Sequence, residues 1–192
     1  METAEIRIQN IRNECHNNKF HSYGKSYIYG ERVNKYERRL RLINFIGLIV
    51  PLIFGGYVLT YGNNYIQSLS LYVAGPILLI QLIFSALALV FKWDDELAYS
   101  LEATRDHNLL SQDFKTLGQF PPASVEDLTI QYNILNEKLK SRNEQDVKHD
   151  LTNKERVKGM RWSLREFNKE CIGCQEIPYS MEKTTCPVCG KY

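Results

Sequence analysis

From Leu42 to Phe91 the chain contains no Asp, Glu, Lys, Arg or His. Crossing roughly 30 Å of hydrocarbon takes about 20 residues of helix, and a water-soluble core helix seldom runs so far without a charge. The stretch therefore reads as two transmembrane helices, about 42–60 and 70–91. They are joined by Tyr61-Gly-Asn-Asn-Tyr-Ile-Gln-Ser68, a turn by composition. So short a connection leaves room only for an antiparallel hairpin. Tyr57 and Tyr61 suit the far membrane interface, and Lys92-Trp93 suits the near one. The mean hydropathy of the whole chain is negative only because both flanks are polar.

Orientation follows from the basic residues. Arg32, Lys35, Arg38, Arg39 and Arg41 precede the first span and Lys92 follows the second, while the connecting loop has no Lys or Arg. Both termini are expected in the cytoplasm, in a two-pass protein of the cell inner membrane. The first 30 residues are polar and show no signal-peptide pattern, so insertion is expected through the first span.

Outside the spans the pattern is helical. Thr3 to His16 reads as a short helix carrying Ile6, Ile8 and Ile11, followed by a polar, Tyr-rich joint from Phe20 to Gly30. Ser26 is placed to cap a long helix that continues through the first span, interrupted only by Pro51. After the membrane, Asp94 to Gln112 continues as helix until Gly118 and Pro121-Pro122 break it. Ser124 with Asp127 opens a helix to about Arg142, and Thr152 with Glu155 opens another to about Glu170. The expected fold is an all-α integral membrane protein: cytoplasmic N-terminal helices over 1–41, a transmembrane hairpin over 42–92, a cytoplasmic helical region over 93–170 and a small zinc ribbon over 171–192.

The ribbon rests on cysteine spacing. Cys171-Ile-Gly-Cys174 is separated by eleven residues from Cys186-Pro-Val-Cys189, with Gly190 next. A two-residue gap lets both sulfurs of a knuckle face one ion, and a glycine after the second cysteine relieves the turn. Zinc supplies folding energy that so short a segment cannot draw from a core. The other readings are disulfides or free thiols. A cytoplasmic location argues against disulfides, and a thioredoxin-like site needs a strand–helix context that is missing. Four cysteines close the coordination shell, so the expected metal is structural. Cys15 stands alone as a simple thiol.

Asn44, Gly47, Pro51 and Gly55 share one face of the first span, and Gln81, Ser85, Ala88 and Lys92 share one face of the second. These stripes serve either close helix packing or the lining of a pore. Two helices enclose nothing, so a pore requires several copies. Neither span carries an acid, which argues against a proton relay.

Two segments are basic. Lys154, Lys158, Arg161 and Arg165 form a helical stripe with Trp162 beside it, and the joint carries Lys19, His21, Tyr23, Lys25 and Tyr27. Such faces can track phosphates and stack bases. They can equally be solvated surfaces or patches against anionic lipid. Asp94 to Asp150 holds twelve acidic residues against six basic ones, which makes it a partner for those basic segments. There is no nucleophile elbow, phosphate-binding loop or His-Glu metal motif, and the four histidines are scattered, so no enzymatic chemistry is expected.

A basic helix, a charge-free two-span hairpin and a long following helix resemble the SLATT-type two-transmembrane effectors that accompany nucleotide-synthesising enzymes in bacterial antiphage defence. The ending Cys171-x-x-Cys174-x11-Cys186-Pro-x-Cys189 resembles a family of mobile-element proteins described by that spacing. The combination resembles the membrane effector of Hailong systems. That resemblance implies a homo-oligomeric channel, a tetramer being one arrangement. It also implies a partner nucleotidyltransferase whose DNA oligomers hold the channel closed, so that their loss opens it and stops growth. The competing class is a membrane-anchored zinc-ribbon interaction protein without a pore. A third is a small toxin-like membrane disruptor, which would act even without Cys171 or Cys186.

Overall fold

The computed structural model describes residues 4–61 and 75–192, without the side chains of residues 54, 57–59 and 61. The expected turn, the tyrosine side chains at the far interface and the first residues of the second span lie outside this set. The described residues are mostly helical. Helix α1 runs over Ala4–Tyr61, α2 over Gly75–Val90, α3 over Trp93–Gln119, α4 over Val125–Asp146 and α5 over Asn153–Glu166. A 3-10 turn, Val147–His149, follows α4, and the cysteine tail has no regular secondary structure.

The Tyr-rich stretch from Phe20 to Gly30 is not a joint but an unbroken part of α1. Its small residues serve a helix crossing. A Cβ added to Gly24 would lie 2.9 Å from the Gly159 carbonyl oxygen, and one added to Gly159 would lie 2.9 Å from the Gly24 oxygen. The backbones of α1 and α5 touch there because neither residue carries a side chain, and Ser163 Oγ donates to the Phe20 carbonyl at 2.9 Å beside the crossing. Composition marks a turn and a close crossing alike, since both use Gly and Ser.

The other start signals act as expected. Ser124 caps α4 by accepting from the Asp127 N–H, and Thr152 with Glu155 completes a capping box on α5. Helix α4 continues past Arg142 to Asp146, and α5 stops at Glu166, where Asn168 takes a left-handed φ of 47°. Lys92 does the same between α2 and α3, with φ 49°.

The chain forms two compact units, Met1–Glu31 with Ser100–Tyr192, and Arg32–Tyr99. In the first unit Ile11 and Cys15 of α1 pack with Leu110, Phe114 and Leu117 of α3 and Leu128 of α4. These are turn-spaced apolar faces, as helix periodicity requires. A second cluster joins Phe20 of α1 and Leu164 of α5 to Cys171, Cys186 and Cys189. In the second unit Leu40 and Ala88 are buried, and Arg39 lies over the Trp93 ring at 5.1 Å. Among the described residues no single helix is long and apolar enough to cross a membrane. Helices α2 and α3 pass that test together, bent by 50° at their break.

Candidate metal centre

The tail builds its site from two knuckles. In the first, the Gln175 N–H donates to the Cys171 carbonyl at 2.7 Å, and Gln175 takes a left-handed φ of 59° to close the turn. In the second, Gly190 and Lys191 both donate to the Cys186 carbonyl, at 3.0 and 2.9 Å. Gly190 is needed there for space: an added Cβ would press on Thr184, whose N–H donates to the Gly190 carbonyl at 3.0 Å.

The four sulfurs lie within 4.8 Å of one another. Cys171 and Cys186 sulfurs are 3.9 Å apart, and those of Cys174 and Cys189 are 3.8 Å apart. Four sulfurs at about 2.3 Å around a tetrahedral ion sit about 3.8 Å from each other. The set therefore fits one metal ion and excludes sulfur–sulfur bonds, which need about 2.05 Å. Local amides favour the thiolate form of Cys186. The N–H groups of Cys189 and Val188 hold the Cys186 thiol down at about 7. The Gly173 N–H donates to Cys171 Sγ at 3.4 Å. Cys189 is pushed up, first by its burial and then by the neighbouring cysteines. Cys15 is far from this chemistry in kind: burial in the α1–α3–α4 core raises it to about 11, the mark of an inert thiol.

Arg161 locks the tail to α5. Its Nε donates to the Ser180 carbonyl at 2.7 Å and its Nη1 to the Cys189 carbonyl at 3.2 Å, with Cys189 Sγ at 3.9 Å. Arg161 is buried, so its guanidinium serves the cysteine site and not the surface expected from the helical stripe. It also sets a positive charge beside the thiolates. Replacing it, as Arg161→Gln, is expected to lower metal affinity roughly 10–100-fold, the usual effect of losing an outer partner of a ligand. Competition with a chelator reads this directly, and unchanged affinity would deny Arg161 the role.

The other residues of the basic stripe are spread among different environments. Trp162 stacks on Tyr27 of α1 at 4.1 Å and 7°, with Arg165 over its ring at 4.3 Å. Lys158 pairs with Glu31, which also accepts from the Tyr27 hydroxyl at 2.8 Å. Lys154 is exposed. Lys25 donates to Asn143 at 2.7 Å and to Asp146 at 3.1 Å. Lys19 lies over the Phe167 ring at 4.2 Å. In the second unit Gln81 turns toward α1, with its Nε2 2.9 Å from where a Gly47 Cβ would stand, and its buried Oε1 has no hydrogen-bond partner among the described residues. Ser85 is half-buried, Ala88 is buried and Lys92 is exposed.

One feature escaped sequence reasoning. Asp146 accepts from His107 Nε2 at 2.8 Å, Lys25 Nζ at 3.1 Å and Arg142 Nε at 3.2 Å, while Arg142 Nη1 also reaches Glu102 at 3.1 Å and Asp106 at 3.0 Å. His107, Arg142 and Asp146 are buried. The network opens on a cleft of about 310 Å³ whose wall includes Lys25, Asp146, Asp150 and Arg156. Its charges are paired internally, since Arg156 holds Asp150 through both oxygens, at 2.6 and 2.8 Å.

No curated protein and no solved structure matches the chain. A family model described as Mobilome CxxCx(11)CxxC protein matches residues 12–192, from the third turn of α1 through both knuckles. With four sulfurs gathered at that spacing and the match covering nearly the whole length, the chain belongs to the Mobilome CxxCx(11)CxxC family.

Proposed function

We propose that this chain is the membrane effector of a bacterial antiphage defence system. Several copies form an ion channel in the inner membrane, with both termini in the cytoplasm. A nucleic-acid or oligonucleotide signal from a partner nucleotidyltransferase controls the channel, which opens to depolarise the membrane and arrest growth. Zinc is the ion held by Cys171, Cys174, Cys186 and Cys189, in a structural role.

The observation that carries this reading is the apolar surface of the Arg32–Tyr99 unit. Leu42, Phe45, Leu48 and Leu52 on α1, and Leu79, Leu82 and Leu89 on α2, are each between 59% and 76% exposed. Water does not tolerate so continuous an apolar surface, whereas lipid or a neighbouring subunit covers it at no cost. Basic flanks on one side only, and membership of a mobile-element family, are consistent with the same reading. The test is ion flux from liposomes holding the purified protein. Flux without oligonucleotide and its suppression by oligonucleotide are expected.

A second reading is a membrane-anchored ribbon that recruits a partner and has no pore. It draws support from Gln81 and Ala88, which are occupied within their own unit, and from Ile172 and Tyr179 of the tail, each 91% exposed. Liposomes that never pass ions, with or without oligonucleotide, would remove the channel and leave the anchor.

A further inference from the structure

Two lysines far apart in the sequence, Lys19 and Lys169, meet at the base of the tail, and a third, Lys115, stands one turn along α3 from a contact with Lys19. Lys19 Nζ lies 4.2 Å from the Phe167 ring centroid, and Lys169 Nζ lies 5.3 Å from that of Phe20. The two rings are themselves 6.0 Å apart. Both ammonium groups therefore rest on one aromatic pair. Lys115 arrives from α3. Ser111, one turn before it, donates to the Lys19 carbonyl at 3.1 Å. On the same face of α1, Arg12 Nε donates to the Gly118 carbonyl at 3.1 Å, and His16 Cε1 lies 3.5 Å from where a Gly118 Cβ would stand. So Arg12, His16 and Lys19, at steps of four and three, run along Ser111, Lys115 and Gly118.

The cations feel one another. Burial first, then the charges of Lys169 and Lys115, holds Lys19 below its ordinary value. Burial, then Lys19, Lys169 and Arg12, does the same to His16. Among the described residues no carboxylate lies within ion-pair distance of Lys19, Lys115 or Lys169. That separates this cluster from the α5 stripe and the cleft, where Lys158, Lys25 and Arg156 each have an acid. Gathering like charges costs stability, and a bound anion returns it. Lysine binds phosphate as a point charge from any direction. The Phe20 ring is buried and carries Lys169, while Phe167 carries Lys19, so the pair serves as a support for cations.

We propose that Lys19, Lys115 and Lys169 form the binding site for a ligand with several phosphate groups, the backbone of a short single-stranded oligonucleotide. The phosphate chemistry stands on the cluster; that the phosphates belong to an oligonucleotide rests on the functional reading above. Because Lys169 lies two residues before Cys171, the metal-bound knuckle holds one wall of the site.

The test uses full-length, metal-loaded protein in detergent and a fluorescein-labelled oligothymidylate, with anisotropy followed over a series of salt concentrations. Binding is expected to weaken with salt, and tripolyphosphate should compete. In the Lys19→Gln/Lys115→Gln/Lys169→Gln variant, affinity should fall more than tenfold, and the salt slope should shrink by about 2, at about 0.7 per lost phosphate contact. Exposed Lys140→Gln on α4 should behave as wild type. Lys169→Glu, at an exposed position outside any helix, gives the same answer should the triple variant fold poorly. The proposal is overturned if wild type fails to bind at the lowest salt. It is also overturned if the variants lose no more than Lys140→Gln, or if tripolyphosphate binds and oligothymidylate does not. Lysine-dependent binding by a protein that never conducts would leave the site standing and remove the channel.

Discussion

Replacing Cys186 by Ser is expected to release the metal and unfold the tail from residue 171 onward. The tail has no helix or strand to fall back on. Its order depends on the knuckle bonds to the Cys171 and Cys186 carbonyls and on whatever ion joins the sulfurs. Tetrahedral zinc in comparable segments supplies about 10–16 kcal/mol of apparent binding energy at neutral pH, which is then folding energy. The damage should spread, because Cys171, Cys186 and Cys189 pack against Phe20 and Leu164. Losing the tail uncovers those side chains and frees Arg161 from the Ser180 and Cys189 carbonyls. Limited proteolysis should cut Cys186→Ser between residues 171 and 192, while the α1–α3–α4 core stays protected. Chelator treatment of wild type should give the same fragments. Resistance of both to cleavage would mean that the tail folds without a metal.

The second large effect is expected at Asp146. This buried carboxylate accepts from Lys25, His107 and Arg142. Asp146→Ala leaves His107 Nε2 unpartnered in the interior and withdraws a negative charge from beside a buried guanidinium. Breaking a buried pair from one side costs about 3–5 kcal/mol. Denaturant unfolding should show that loss, with Asp146→Asn falling between the two, since an amide oxygen still accepts one bond. A loss of only about 1 kcal/mol, the size of a surface pair, would contradict the burial of the network. The network also sets a pH dependence. Burial, as the larger cause, keeps the His107 imidazole below its ordinary value, even though Asp146 pulls the other way. The unfolded chain therefore takes a proton near pH 6.5, before the folded one does. Stability should be fully present above that pH and fall as pH drops from about 6.5 toward the lower folded value. His107→Gln should flatten that decline relative to wild type.

What was legible in the sequence is what depends on neighbours along the chain. The knuckles need only a two-residue gap, and the capping box at Thr152 needs only Glu155 three residues on. Both stand as read. What was not legible depends on partners far along the chain. Arg161 looks like one more cation on a basic stripe until the tail folds over it. The partners of Asp146 are as far away as residues 25 and 107, and only the acidic excess of Asp94 to Asp150 hinted that basic residues would be drawn in. The Phe20–Gly30 stretch has the composition of a joint, yet Gly24 does not end the helix; it lets α5 approach.

The most direct measurement is X-ray absorption on the purified protein together with its metal content. One zinc per chain is expected, bound by four sulfurs at about 2.3 Å with no nitrogen or oxygen neighbour. Substoichiometric metal, a mixed ligand shell, or sulfur bonded to sulfur would contradict the closed four-cysteine centre on which the account of the tail rests.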